Sequence, residues 1–263
     1  MILVTGASGT VGGEVVKALE GHAVRAVVRD PSKVTLDAEV VAGDLELPES
    51  LTPALDGVDA VFLLGGWSDM PGLVRRIECA GVTRIVLLTS RCVIGGRPDN
   101  AVTRQWLDAE AAVQGIEHTI LRPSGFQSNA HRLDLSHDVV RAPWPDVPIA
   151  LIDPADIAAV AAVALTGGAG PELELSGPEA LTPAQQVAIL AEVLDRPLRY
   201  EPQPDAEARA EMLEAGTPEP IVDALFRFFS EGEFEDSRVV ETVREVTGRA
   251  PGRFADWARR AFG

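Results

Sequence analysis

Lysine and tyrosine are almost missing from this chain of 263 residues: Lys17, Lys33 and Tyr200 are the only ones. Any chemistry that needs an ammonium or a phenol must use one of these three side chains. Cysteine is as scarce, with Cys79 and Cys92 alone, which argues against a disulfide framework and fits ordinary thiols in a cytoplasmic protein. No apolar run approaches the ~18 residues of a membrane span. The opening MILVTG is too short for the apolar region of a secretion signal. Positive charge is also in deficit, since 23 Lys and Arg against 40 Asp and Glu leave a formal net charge of −17. A nucleic-acid groove needs a basic face, so neither nucleic acid nor a membrane is expected as a partner. The four histidines show no ligand spacing. The nearest pair, His131 and His137 in HRLDLSH, reads as a solvated loop, and no metal site is expected.

What is present is apolar and periodic. Hydrophobic residues make up 46% of the chain, enough for one large α/β domain. Short runs rich in Val, Ile and Leu (MILVTG, HAVRAVVR, AEVVAG, DAVFLLG, RIVLLTS, EHTILRP) alternate with helix-period segments at about 11–19, 48–55, 71–80 and 101–113. Near-continuous apolar strands separated by helices predict a parallel sheet covered on both faces, doubly wound in the Rossmann manner. Beyond Pro123 the rhythm loosens. Residues 124–148 read as loop plus a short helix, PIALID and ELELSG as two further strands, and 154–165 as an alanine-rich helix. From Thr182 the pattern is helical, broken at 197–204 and 216–220. The acidic EGEFEDS at 231–237 reads as a solvated helix boundary. The expected organisation is a single domain, 1–263. Its nucleotide-binding core is 1–122 and 149–176, and a smaller, mainly helical lobe of 123–148 and 177–263 covers the substrate.

The motif that carries chemistry is VTGASGTVGGEVV, which sets Gly6, Gly9 and Gly12 between a strand and a helix. Gly6 permits the tight turn, Gly9 lets the backbone approach a pyrophosphate, and Gly12 lets the helix pack close to the strand. Ser8, Thr10 and Val11 offer donors to the same phosphates. An NAD site wants a carboxylate at the end of the second strand for the ribose hydroxyl. Here that strand ends in Arg29, with Lys33 four residues on, a pair suited to the 2′-phosphate of NADP(H). Asp30 is the competing candidate, able to serve the hydroxyl instead.

With these residues in place the chain resembles, over essentially its whole length, the NmrA-like group of atypical short-chain dehydrogenases/reductases. The resemblance is carried by GASGTVG, VRAVVRDPSK, AGDLELPESLTPALDGVDAVFLL, HTILRPSGFQSN, DPADIAAVAAVAL, LSGPEALTPAQQVAILAEVLDRPLRYE and VREVTGRAPGRFADWA. It implies that Asp44 and Leu45 lie by the adenine and that Gly65 and Gly66 let the backbone pass the ribose. Thr89, Ser90 and the segment from Pro123 to Phe126 would then border the nicotinamide. In the wider superfamily a serine acts with a tyrosine and with a lysine four residues further on. The tyrosine protonates the alkoxide left by hydride transfer and the lysine lowers its pKa. Ser90 matches the serine, but helix 101–113 offers only Trp106, preceded by Gln105. The standard proton donor is absent.

Two readings follow. In the first the chain is an NADPH-dependent reductase of a bulky aromatic hydroxyketone or quinone, of the kind met in polyketide and antibiotic biosynthesis. Such a ketone can assist itself through an internal hydrogen bond, because general acid catalysis is worth only ~10²–10⁴-fold. Trp67, Trp106, Phe126 and Trp144 follow strands of the nucleotide half and are expected to line a flat apolar pocket with Ser90. In the second the chain binds NADP(H) without turnover and reports redox state to a protein partner, as some NmrA-like proteins are thought to do. Monomer and dimer are both open.

Overall fold

In the computed structural model, which describes residues 1–263, the chain forms nine strands. They are β1 (Ile2–Val4), β2 (Val24–Val28), β3 (Glu39–Ala42), β4 (Ala60–Leu64), β5 (Arg84–Leu88), β6 (Glu117–Pro123), β7 (Val139–Ala142), β8 (Glu172–Leu175) and β9 (Arg199–Pro202). Seven of them make one parallel sheet in the order β3-β2-β1-β4-β5-β6-β8. The direction of winding reverses between β1 and β4, and in open α/β sheets ligands bind outside the carboxyl ends of the strands at such a reversal. Strand β4 reads as an unbroken apolar run because both its faces are covered: Val61, Phe62 and Leu63 are fully buried.

The helices are α1 (Thr10–Ala18), α2 (Met70–Cys79), α3 (Cys92–Gly95), α4 (Ala101–Ala112), α5 (Pro154–Leu165), α6 (Pro183–Leu194), α7 (Asp205–Glu214), α8 (Glu219–Phe229), α9 (Thr242–Thr247) and α10 (Phe254–Phe262). On one face of the sheet, Val15 of α1 and Ile157 and Val160 of α5 pack against Val4 and Val86. On the other face, Leu73 and Ile77 of α2 and Ala109 of α4 pack against Leu63, Ile85 and Ile120. No helix is long and apolar enough to cross a membrane.

Helix α4 holds one wall of the site, and three polar anchors fix it. Asn100 caps it, accepting from the backbone N–H groups of Val102 and Thr103, and its own amide donates to Ala224 O in α8. Further along, the buried Glu110 accepts a hydrogen bond from Thr89 Oγ1 at the end of β5. The Arg122 guanidinium of β6 grips the same carboxylate from two nitrogens, at 2.9 and 2.7 Å.

The structure departs from the sequence reading in the second half. PIALID forms no regular strand, only the isolated bridges Phe126↔Ile152 and Ile149↔Leu181. Strands arise instead at Val139–Ala142, read as loop, and at Arg199–Pro202, read as a break, and the two pair in parallel. Neither had a legible partner, because β7 and β9 lie about sixty residues apart and each is only four residues long. The expected helix 48–55 is a 3₁₀ helix. Pro53 inside it removes an N–H donor, which disfavours a regular α-helix.

Removing Arg122 strands Glu110 in the core. Arg122→Ala is expected to destabilise the protein by about 3 kcal/mol, at the lower end of the range for breaking a buried pair. The urea midpoint should fall with the slope unchanged. A loss below about 1 kcal/mol, as for an exposed pair, would mean that the anchor is ornamental.

Candidate functional site

One groove runs across the carboxyl ends of the strands, and it widens in three places. The first, of about 220 Å³, is lined by Arg29, Asp44, Leu45 and Trp67. The second, of about 440 Å³, is lined by Gly6, Gly9, Thr10, Val11 and Gly12. The third, of about 400 Å³, lies beyond Leu64, Leu88 and Phe126. Leu64 borders all three, and Gly6 and Gly9 join the first two. A larger hollow of about 820 Å³ opens between α1 and α10. Its charged side chains are already matched, Lys17 with Glu14 and Arg260 with Asp153, so the strand-end groove is the better candidate.

The glycine turn is built for a phosphate. Gly6 sits at φ +61, and a Cβ on Gly12 would overlap the carbonyl of Gly6, so α1 can leave the sheet at this angle only with glycine there. A Cβ on Gly9 would meet only Gly6 O, at 3.2 Å, which leaves its other side open to the groove. The N-cap of α1 is Gly9 itself and no side chain caps the helix. The first N–H groups of α1 are therefore free for an anion.

At the first widening Arg29 is exposed and has no ion-pair or hydrogen-bond partner, whereas Asp30 is occupied. Its carboxylate accepts from the backbone N–H and hydroxyl of Ser32 and pairs with Lys33 at 3.2 Å, and these contacts hold it below the usual carboxylate range. Arg29 thus stands free at the groove, a cation suited to a 2′-phosphate, while Asp30 is engaged locally. Lys33 turns to Asp30 and does not line the groove, so its expected contribution is a correction. Trp67 is another. It lies beside Arg29 and Asp44 rather than in a substrate pocket, because Gly66 at φ +89 turns the chain and the indole packs on the α2 side of the core. Gly65 and Gly66 also make room for α4: a Cβ on Gly65 would stand 3.1 Å from Trp106, and Gln105 donates to Gly66 O.

The third widening is lined by Thr89, Ser90, Trp106, Pro123 and Phe126. Thr89 faces it with its hydroxyl already committed to Glu110. Ser90 Oγ accepts from the Cys92 N–H at 3.3 Å, which leaves its proton to donate. Trp144 is not on the wall. It packs behind Phe229 with ring centroids 4.7 Å apart, and its Nε1 donates to Ser230. Residues that sequence reasoning missed complete the enclosure: Asn129, Arg132, Phe228, Phe229, Phe234 and Asp236. Two of these, Phe234 and Asp236, fall in the acidic stretch expected to be solvated, yet Asp236 is 94% buried (6% exposed). The lone aromatic inside EGEFEDS was the available signal.

A seven-stranded reversal-point sheet with a glycine turn and an uncapped α1 already describes a dinucleotide fold, and residues 6–167 match the NAD(P)H-binding family. The chain belongs to that family. Its fold is shared with a mutant of NmrA, which superposes with a TM-score of 0.76 at 18% identity, covering 99% of this chain and 95% of that chain. The chain is 38% identical to a (4-alkanoyl-5-oxo-2,5-dihydrofuran-3-yl)methyl phosphate reductase of Streptomyces griseus, over 98% of this chain and 96% of the relative. It is 34% identical to an NAD(P)H azoreductase of Xenophilus azovorans, over 100% and 99%. Among solved structures, an NADPH-dependent quinone oxidoreductase of Escherichia coli superposes with a TM-score of 0.80 at 25% identity, covering both chains completely. That protein has also been solved with NADPH. This member of the family is an oxidoreductase that uses NADP(H), and the groove fits the cofactor. Open glycine backbone and free helix N–H groups suit the pyrophosphate, and the unpaired guanidinium of Arg29 lines the same groove. When bound, the cofactor would supply a hydride.

Arg29→Ala is expected to weaken NADPH by one to two decades, the loss of a charge-assisted bond of roughly 1.5–3 kcal/mol, and to leave NADH nearly unchanged. Titration calorimetry checks it, and equal weakening of both cofactors would remove Arg29 from the phosphate site. The glycines should part company. Gly9→Val is expected to fold and lose NADPH, because its side chain enters the groove, whereas Gly12→Val should fail to fold. Circular dichroism and cofactor titration read both outcomes. A folded Gly9→Val variant with unchanged affinity would make the turn merely structural.

Proposed function

We propose that this NAD(P)H-binding protein is a cytoplasmic reductase of a flat, electron-poor, conjugated acceptor, a quinone or an aromatic hydroxyketone, of the kind met in polyketide and antibiotic biosynthesis. One observation carries the reading: the aromatic cavity at the strand ends is continuous with the phosphate groove and contains neither tyrosine nor lysine. A simple ketone reduced there would leave a localised alkoxide with no phenol to quench it. A conjugated acceptor spreads the charge over several atoms, and general acid catalysis then matters less. The names of the relatives support the same class. A dihydrofuranone bearing an alkanoyl group and a quinone carry double bonds conjugated to carbonyl groups, and an azo bond is likewise a two-electron acceptor.

The chain's own residues then have definite tasks. Parts of the segments 123–148 and 177–263 form the lobe over the acceptor, whereas α9 packs against α5 and β8 of the nucleotide-binding core. Trp106 on one side and Phe228, Phe229 and Phe234 on the other hold a flat ring and keep water out. Ser90 donates a hydrogen bond that orients the acceptor oxygen. At about 400 Å³ the cavity is near the small end of ligand pockets, about 300–1,000 Å³. The nicotinamide takes part of it, which leaves room for one or two fused rings.

Loss of NADPH absorbance against a panel of naphthoquinones, hydroxylated aromatic ketones and saturated ketones tests the proposal. Quinones and hydroxyketones are expected to turn over and saturated ketones are not. Ser90→Ala should lower kcat by up to about tenfold, the loss of one hydrogen bond of about 0.5–1.5 kcal/mol. Tight NADPH binding with no turnover of any member would leave the redox-reporting role instead.

A further inference from the structure

Most arginines of this acidic chain meet a carboxylate, but the one that borders the aromatic cavity does not. Arg132 ends the 3₁₀ helix Gln127–Arg132 that follows β6. It is exposed and makes no hydrogen bond or ion pair. Side chains three apart on a 3₁₀ helix eclipse one another, so Asn129 shares its face. The Asn129 amide is likewise exposed and without a partner. Both residues border the second widening and the aromatic cavity, at the seam between them.

The charge offered to the cavity is therefore positive. The only other charged residue on its wall is Asp236, and that carboxylate is engaged away from it. Its Oδ2 accepts the Gly125 N–H at 2.9 Å, and its Oδ1 is buried 3.5 Å from Arg91. Ser90 adds a hydroxyl proton, so donors reach the cavity from two segments and no free carboxylate faces them. The anionic groups of the cofactor would meet other partners, the uncapped α1 N–H groups for the pyrophosphate and Arg29 for the 2′-phosphate. Arg132 is the free cation left over. In a protein of net charge −17 the overall field repels an anionic ligand, so only a local guanidinium admits one.

We propose that Arg132, with Asn129, selects acceptors that carry an oxyanion, a carboxylate or a phosphate ester, beside the conjugated ring. The proposal rests on the conjugated-acceptor reading above and narrows it. The guanidinium presents parallel N–H groups that fit two oxygens of either anion, and the Asn129 amide adds a further donor. The ring then lies between Trp106 and the phenylalanines of α8. Arg132 cannot give up its proton, so it anchors the acceptor without acting as an acid. The site still needs an acceptor that spreads the charge left by hydride transfer.

Redox-inert pairs test the anchor apart from turnover. With the protein saturated by NADP⁺, titration calorimetry compares 2-naphthoate with 2-naphthamide, and 2-naphthyl phosphate with 2-naphthol. Wild type should prefer at least one anion to its neutral partner by roughly ten- to a hundredfold, as for one charge-assisted bond. The larger of the two preferences names the anion. Arg132→Ala should erase it, Arg132→Lys should keep part of it, and Asn129→Ala should reduce it by a few-fold. In turnover, the kcat/KM ratio of 1,4-naphthoquinone-2-sulfonate to 1,4-naphthoquinone should fall by a similar factor in Arg132→Ala, through KM. No preference in wild type, or one that survives in Arg132→Ala, overturns the proposal. So does an Arg132→Ala variant in which NADPH and both members of each pair weaken alike, because the guanidinium then serves the cofactor. An anion preference with no quinone turned over would instead overturn the acceptor class and leave the anion site standing. Turnover of 1,4-naphthoquinone without the preference would do the reverse.

Discussion

The carbonyl of Gly6 lies where the first side-chain atom of residue 12 would stand, and the rest of the site depends on that contact. It sets the angle at which α1 leaves β1, which aims the uncapped N–H groups of the helix into the groove. The same closeness lets α1 and α5 cover one face of the sheet together. A larger residue at 12 would move the helix, and the anion site would move with it.

Charge is allotted with the same economy. In a protein of net charge −17, most arginines are engaged. Arg122 grips Glu110 and Glu172, Arg91 is shared by Glu174 and Asp236, and Arg260 meets Asp153. Along the groove two guanidinium groups have no partner: Arg29 at the ribose end, and Arg132, which borders both the phosphate turn and the aromatic cavity. Free positive charge therefore borders the groove at both ends, and the negative potential of a generally acidic protein disfavours other polyanions.

The aromatic end is assembled differently. Trp106 comes from α4, which Thr89 and Arg122 anchor through Glu110. Phe228 and Phe229 come from α8, tied to the start of α4 by the Asn100 amide. Phe234 and Asp236 come from the segment that follows, held by the Gly125 N–H and by Ala150 N donating to Asp236 O. No single stretch of chain supplies this wall.

That difference divides what the sequence determined from what the tertiary structure decided. The sheet, its winding, the glycine turn and Arg29 were legible because each rests on local rules: apolar runs with a period, glycines at fixed spacing, a charge at a strand end. The absence of the tyrosine and lysine pair was legible too, since an absence needs no geometry. The pairing of β7 with β9, the turning of Trp67 toward the ribose end and the retreat of Trp144 behind Phe229 were not. Nor was the burial of Asp236 inside an acidic run, where composition alone points to solvent. Each of these depends on which distant segment arrives to cover it, and a buried carboxyl acquires its properties from neighbours more than a hundred residues away.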